Sequence, residues 1–145
     1  MSVRLMPGVV TWLRLGRVGD KLGRRLGAHL TSRNLTPAQF DVLAQLQAAP
    51  NILQQELADR LLVTKGNVVG LLDRMERAGL VERRAHPEDG RAHLVRLTER
   101  GAQLAAQVVP EHEALVAGCM ALLTPADLHA LTSLLRTLDS ALGPG

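Results

Sequence analysis

The stretch from Gln54 to Gly101 constrains the fold most, because its pattern allows one order of elements. The first helix is predicted over 54–62, with Leu57, Ala58, Leu61 and Leu62 at helical spacing, and the second over 64–78, with Val68, Leu71, Leu72 and Met75. Thr64 follows a break at Val63, and its hydroxyl is suited to cap the second helix. Gly79 is suited to end that helix, because glycine tolerates the left-handed conformation. Two short helices joined by a tight turn are therefore predicted.

A two-stranded ribbon is predicted next, over 80–85 and 92–98. Both segments alternate partly between apolar and charged residues, and the core positions are Val81, Val95 and Leu97. Between them, Pro87 and Gly90 favour a turn, whose exposed tip would present Arg91 to a partner. A ribbon after two short helices indicates a winged helix-turn-helix, a shape suited to placing a helix in a DNA groove.

Further helices are predicted on both sides of this segment. Thr36, Pro37 and Gln39 form a start signal with an N-cap, a first-turn proline and a capping box. Thr98 is suited to cap a long helix to about residue 122, and Thr124 to cap the last helix. A first helix is predicted over 7–30. Its apolar stripe is Leu15, Val18, Leu22, Leu26 and His29, and the stripe of the last helix is Leu128, Leu131, Leu135, Leu138 and Leu142. The predicted fold is thus mainly α with a small β-hairpin wing.

Composition sets further bounds. A chain of 145 residues with 46% hydrophobic residues can form one domain with a real core. One Trp, one Phe and no Tyr argue against base stacking on aromatic platforms, as single-strand binders use. Cys119 is the single cysteine, which indicates a reducing compartment. No apolar run approaches the roughly 20 residues that span a membrane. We expect a cytoplasmic protein without membrane contact.

Charge is distributed unevenly along the chain. The net charge is +3 and the sequence pI is near 10.0, but residues 1–33 hold seven basic residues and one acid, whereas the winged segment is nearly balanced. Bulk charge alone therefore supports nucleic-acid binding weakly, and the arrangement of the exposed groups decides.

Five segments of the chain, in order, resemble the signature segments of the MarR (multiple-antibiotic-resistance regulator) family. They are residues 35–43, 56–58, 64–83, 89–91 and 97–101, about half the chain. The resemblance implies one MarR-type domain over 1–145, with a winged-helix DNA-binding lobe over 34–101 and dimerisation helices over 1–33 and 102–145. It implies a transcriptional regulator, predicted to be a repressor. A homodimer would present two recognition helices to successive major grooves about 34 Å apart, which predicts a pseudo-palindromic operator.

The predicted contacts with double-stranded DNA come from both helices of the motif and from the wing. They are Gln54, Gln55, Thr64, Lys65, Gly66, Asn67, Gly70, Arg74, Asp89 and Arg91. Asn67 is suited to adenine, Lys65 or Arg74 to guanine or phosphate, and the two glycines permit close approach to the groove. Arg91 is suited to the minor groove, and the resemblance implies that Asp89 orients it through an ion pair. Ala92 and His93 stand where wings of the family often carry further arginines.

The resemblance also implies a small anionic effector, often aromatic or phenolic, between the dimerisation helices and the DNA-binding lobe. Trp12, His29 and Phe40 are the candidate pocket residues, with ordinary packing as the other interpretation. Cys119 raises the alternative of a thiol-based redox sensor, but its apolar helical setting favours an inert thiol. The run from Glu111 to Glu113 lacks the paired spacing that would hold zinc, so no metal is expected and a solvated face is predicted.

Two other classes of function, an enzyme and a protein-binding module, are less well supported by the sequence. No phosphate-binding loop, nucleophile elbow or acid-base pair is present in the sequence, so neither catalytic residues nor a cofactor are predicted. A winged helix that binds a protein partner instead of DNA is the second alternative. Lys65, Asn67, Arg74 and Arg91 together favour DNA.

Overall fold

A computed structural model describes residues 6–61 and 65–143 of the chain, apart from the side chains of Lys65 and Gly66. The helices are α1 (Pro7–Ser32), α2 (Pro37–Ala48), α3 (Gln54–Leu61), α4 (Lys65–Arg77), α5 (Glu99–Met120) and α6 (Pro125–Leu142). The strands are β1 (Ile52–Leu53), β2 (Val81–Ala85) and β3 (His93–Leu97). The prediction of a mainly helical protein with a small β-hairpin wing is confirmed.

The sheet has three antiparallel strands in the order β1-β3-β2, where the sequence predicted two. β2 and β3 form the expected hairpin, with Val81 opposite Leu97 and Ala85 opposite His93. The added strand is β1, in which Ile52 pairs with Val95. A strand of two residues carries no periodicity, and its partner lies far along the chain, so sequence reasoning missed it.

Local capping signals specified the starts of α2 and α6 and the end of α4. Thr36 forms a capping box with Gln39, and Thr124 accepts a hydrogen bond from the backbone of Asp127 at 3.1 Å, so both predicted starts are confirmed. Gly79 has φ 73°, the left-handed conformation predicted for the end of α4. The predicted cap at Thr64 lies outside the described residues.

One apolar core joins α2, α3, α4, the sheet and the first half of α5. Its fully buried side chains include Leu43, Leu46, Leu57, Leu72, Met75, Val81, Val95 and Val108. Thr98 starts α5 by accepting from the amide of Gly101 at 3.0 Å, as predicted. A Cβ on Gly101 would lie 1.9 Å from the carbonyl oxygen of Leu80, so only glycine fits where α5 leaves the sheet.

The chain divides into two compact units, residues 1–112 and residues 113–145. In the second unit, no side chain of α6 is buried, and Leu134, Leu138 and Leu142 are strongly exposed. In the first unit, the N-terminal half of α1 exposes large apolar side chains, with Trp12 70% exposed. The organisation predicted from the resemblance, with boundaries at residues 33 and 101, stays a prediction.

Within the described ranges, no single helix has both the length and the hydropathy to cross a membrane. One bent pair, Glu99–Met120 with Pro125–Leu142, meets that criterion by length and composition only.

Candidate nucleic-acid interface

The second helix of the motif, α4, separates a buried face from an exposed one. Val68, Leu71, Leu72 and Met75 are buried in the core. Asn67 and Arg74 lie on the exposed side, as predicted. Nη1 of Arg74 lies 3.6 Å from the point where a Cβ of Gly70 would stand, so the guanidinium group folds back over the glycine. A close approach of DNA to Gly70 therefore displaces only the flexible end of one arginine.

The start of α4 holds two of the predicted contacts, and a third, Thr64, lies outside the described residues. Lys65 and Gly66 lie in its first turn, but their side chains are outside the description. The first turn of a helix presents free amide groups and the positive end of the helix dipole, both of which favour phosphate. The roles of these three residues stay predictions.

The structure brings Gln54 and Gln55 together with Arg91 in one depression of about 170 Å³. Its lining comes from the end of β1, from α3 and α4, and from the wing: Leu53, Gln54, Gln55, Ala58, Val68, Val69, Arg91, Ala92 and His93. Oε1 of Gln54 is buried and accepts no hydrogen bond from the described residues. Helix α3 and the wing therefore contribute to one surface, although they are far apart in the sequence.

The wing tip is ordered by its own backbone. The Asp89 carboxylate accepts a hydrogen bond from the backbone amide of Arg91 at 3.0 Å, and the Asp89 carbonyl accepts from Ala92 at 3.0 Å. The predicted ion pair of Asp89 with the guanidinium group of Arg91 is absent from this part of the structure, because the carboxylate caps the turn instead. Asp89 thus shapes the tip, and the Arg91 side chain is exposed without an ionic partner among the described residues.

Arg83, which sequence reasoning did not assign to the site, connects the wing to α4. Its guanidinium group bonds Asp73 and lies 2.6 Å from Oε2 of Glu76, both on α4. Partial burial works to lower the pKa of Arg83, but the hydrogen bonds and charges of Glu76 and Asp73 outweigh it and raise the pKa. The available signal was the spacing of the two acids, which places them on one side of a helix. Arg83 holds the recognition helix at a fixed angle to the wing.

Ion pairs engage several of the charges in this segment. Asp73 and Glu76 are engaged by Arg83, and Glu82 is engaged by Arg96. Within the described part of the winged segment, the exposed arginines that form no ion pair are Arg74, Arg77, Arg91 and Arg100. Exposed positive charge of this kind favours nucleic-acid binding.

The three candidate effector residues do not meet within one chain. Phe40 is buried in the core and His29 is half-buried near it, but Trp12 is exposed near the other end of α1. Seventeen residues of helix separate Trp12 from His29, which is about 25 Å at the α-helical rise of roughly 1.5 Å per residue. Ligand contact by any of the three stays a prediction, and so does the state of Cys119, which is half-buried.

The solvated face predicted around Glu111 is wrong for His112, whereas the Glu111 side chain remains partly exposed and pairs with Arg33 at the surface. Glu111 forms an ion pair with Arg33, with Oε2 2.6 Å from Nη2. The ring of His112 packs on that of Phe40, with a centroid distance of 4.2 Å. Both contacts join segments far apart in sequence, so local pattern could not show them.

Comparison with known proteins agrees with this geometry. The MarR family model matches residues 33–92. An uncharacterized HTH-type transcriptional regulator of Bacillus cereus is 34% identical over 104 residues, which are 72% of this chain and 69% of the relative. The family model covers the helix-turn-helix, β2 and the wing tip.

Two solved structures match over nearly the whole chain. AbsC, a MarR family transcriptional regulator from Streptomyces coelicolor, has a TM-score of 0.87 and 27% identity over 97% of this chain and 98% of its own. A mutant of MarR from Escherichia coli, complexed with operator DNA, has a TM-score of 0.82 and 32% identity over 92% of this chain and 97% of its own. The relatives are transcriptional regulators, and the chain described here belongs to the MarR family of DNA-binding transcriptional regulators.

Proposed function

We propose that this protein is a transcriptional repressor that binds a pseudo-palindromic operator as a homodimer and is released by a small-molecule effector. The observation that carries the proposal is the shared surface of Gln54, Gln55 and Arg91 beside α4. Repression requires only that the operator overlaps a promoter. A DNA-bound regulator acts where the chromosome lies, so the proposal includes a cytoplasmic location.

Each part of this surface has a distinct role in the proposal. Asn67 and Arg74 read base edges in the major groove, while the first turn of α4 and the glutamines of α3 hold phosphates. Arg91 enters the adjacent minor groove, where a narrow A·T-rich stretch concentrates negative potential. Asp89 supports that contact by fixing the turn from which Arg91 projects.

Exposed apolar faces in both units support the homodimer. Leucines line α6 without being buried, and α1 exposes Trp12, Leu13 and Val18. Contiguous apolar surface of this kind is typical of a protein–protein interface. In a symmetric dimer the two copies of α4 would lie one helical turn of DNA apart, which is why the operator is proposed to be pseudo-palindromic.

The glycines of α1 give independent support for a close helical partner. Gly16, Gly19, Gly23 and Gly27 recur at intervals of three and four, and a Cβ on any of them would meet nothing within 4 Å. Glycine inside a helix costs about 0.5–1 kcal/mol relative to alanine. Among the described residues, no contact of one chain with these glycines offsets that cost, whereas a second helix approaching closely would.

The effector in this proposal is a small anionic molecule, aromatic or phenolic in class. Its support is the family resemblance, together with the position of His29 on α1 and Phe40 on α2, both of which lie against the ring of His112. An imidazole and an aromatic ring suit the acidic and planar parts of such a molecule.

The experiment that tests the proposal is binding to duplex DNA from upstream of the protein's own gene, at fixed salt with excess unrelated DNA. We expect specific binding with dimer stoichiometry and a Kd at or below about 10⁻⁸ M. The protein-interaction alternative would be favoured if binding to DNA were independent of sequence. It would also be favoured if the protein bound no DNA and captured a protein partner instead.

A further inference from the structure

Two histidines meet inside residues 1–112, where α1, α2 and α5 pack together. His29 on α1 and His112 on α5 have ring centroids 6.3 Å apart, and His112 also packs on Phe40 of α2. Nε2 of His29 and Nδ1 of His112 are buried and form no hydrogen bond with the described residues. Most buried polar groups are hydrogen-bonded, so such a pair calls for a physical reason. The DNA surface involves neither histidine.

His112 occupies a core position on α5. Ala105, Val108 and Val109 are buried along one side of this helix, and His112 follows them at helical spacing on the same side. Pro110 lies within α5 and cannot donate to the carbonyl four residues earlier, which locally weakens the backbone ladder. This turn of α5 therefore depends on side-chain packing, including the contact between His112 and Phe40.

The charged groups around His112 give little support to an added proton. Glu111, the adjacent acid on α5, is paired with Arg33 of α1 and also lies 3.5 Å from Nε2 of His29. From α2, Asp41 attracts a protonated His112, but its side chain is exposed and solvent screens that attraction. From α1, His29 would repel it.

The titration of the cluster agrees with this geometry. Burial lowers the pKa of His112, the charge of His29 lowers it further, and Asp41 acts in the opposite direction. Although much of the Asp41 residue stays exposed, partial desolvation of its carboxyl group raises the pKa of Asp41, with His112 partly offsetting that effect. The packed structure therefore favours the uncharged form of each group.

We propose that His112 forms a proton-operated latch: its neutral imidazole, packed on Phe40 and beside His29, holds α5 against α2, and protonation of His112 releases this turn of α5 and weakens DNA binding. α2 shares its core with α3 and α4, so a change at Phe40 reaches the helices that carry the DNA surface. The latch itself depends only on contacts within residues 1–112. Its effect on DNA rests on the proposed function.

The latch is tested by hydrogen exchange at pH 7.5 and 5.5. The measured quantities are the protection factors of the backbone amides of Val108, Val109, Glu111 and His112, corrected for the intrinsic effect of pH on exchange. We expect the wild-type protein to lose protection severalfold on acidification, because the released form of this turn binds a proton at His112 more readily than the packed form does. His112→Gln and His112→Leu, which cannot gain the proton, should show no such loss. His129→Gln, which removes an exposed histidine of α6, should behave like the wild type. Equal protection at both pH values in the wild type would overturn the latch.

The coupling to DNA is tested with the upstream duplex at the same two pH values. His86 and His93 on the wing also carry imidazoles, but the wild type and His112→Leu both contain them. Dividing the DNA affinity of the wild type by that of His112→Leu therefore isolates the effect of His112. We expect this ratio to fall severalfold between pH 7.5 and 5.5. A constant ratio beside a pH-dependent exchange would overturn the coupling. If neither protein binds specifically at pH 7.5, the proposed function fails, while the exchange result still decides the latch.

Discussion

Arg83 on β2 donates three hydrogen bonds to Glu76 on α4. Its backbone amide lies 3.4 Å from Oε1, and its Nε and Nη2 lie 3.1 and 2.6 Å from Oε2. The same guanidinium group bonds Asp73. The angle between the recognition helix and the wing is therefore fixed by charges of the chain itself before any DNA is bound.

Replacing Arg83 should lower the stability of the folded protein. The Arg83 side chain is 19% exposed, and its removal leaves two acids close together on α4. We expect Arg83→Ala to lower the free energy of unfolding by about 1–3 kcal/mol in urea titrations. The matched control is Arg60→Ala, which breaks an exposed pair with Glu56 and should cost about 0.5 kcal/mol or less. Similar losses in the two variants would show that Arg83 is an ordinary surface arginine.

Arg91 should contribute to affinity on most sequences. Arg91→Ala is expected to weaken binding and to reduce the slope of log K against log salt by about one, because one phosphate-directed charge is lost. Binding isotherms at four salt concentrations would measure this slope. The control is Arg100→Ala, which removes an equal exposed charge beyond the base of the hairpin, at the end of the sheet opposite the tip. An unchanged slope in Arg91→Ala would remove Arg91 from the interface.

Asn67 should affect base preference more than affinity for unrelated DNA. A bidentate contact with adenine discriminates by about 1–3 kcal/mol against the wrong base. We expect Asn67→Ala to lose affinity for the operator while binding unrelated duplex as the wild type does. A panel of operators with single base changes would measure the effect. A uniform loss over the whole panel would assign Asn67 to the backbone instead.

Gly101 should not tolerate a side chain. A Cβ there would overlap the carbonyl oxygen of Leu80, which belongs to the backbone and cannot move alone. We expect Gly101→Ala to lose about 3 kcal/mol or more in thermal or urea unfolding. Gly118→Ala is the control on the same helix, since a Cβ there meets nothing within 4 Å, and it should be neutral or stabilising by up to about 1 kcal/mol.

Stability should fall on mild acidification because of His112. The pKa of His112 is lowered in the folded protein, so between that pKa and about 6.5 the unfolded chain binds more protons. The contribution of neutral His112 to stability is therefore complete above about pH 6.5, and it is lost as the pH falls toward the pKa of His112 in the folded protein. Asp41, whose pKa is raised, acts in the more acidic range of carboxyl titration and in the opposite direction. Urea unfolding from pH 7.5 to 5.5 should therefore show a weaker pH dependence in His112→Gln than in the wild type.

Local chemistry made much of the fold predictable. A helix start depends on a hydroxyl and an amide three residues apart, so Thr36, Thr98 and Thr124 could be assigned from the sequence, as could the end of α4 at Gly79. Apolar spacing likewise placed α3, α4 and the hairpin. The five family-like segments indicated the family, and the comparisons confirm it.

The tertiary structure alone decided the contacts between distant segments. The pairing of β1 with β3, the bonds of Arg83 to α4, and the packing of His112 on Phe40 each join residues with no shared local pattern. Asp89 shows that sequence can also fail to predict a contact between close neighbours. Its carboxylate could accept from the backbone amide of Arg91 or pair with the Arg91 guanidinium group, and the conformation of the turn decides in favour of the amide. The sequence by itself determined the helices α1 to α6 and the β2–β3 hairpin, since periodicity and capping act within a few residues, but it did not show β1. Their mutual placement, and with it the shared surface of α3 and the wing, came from burial of a common core that no single segment contains.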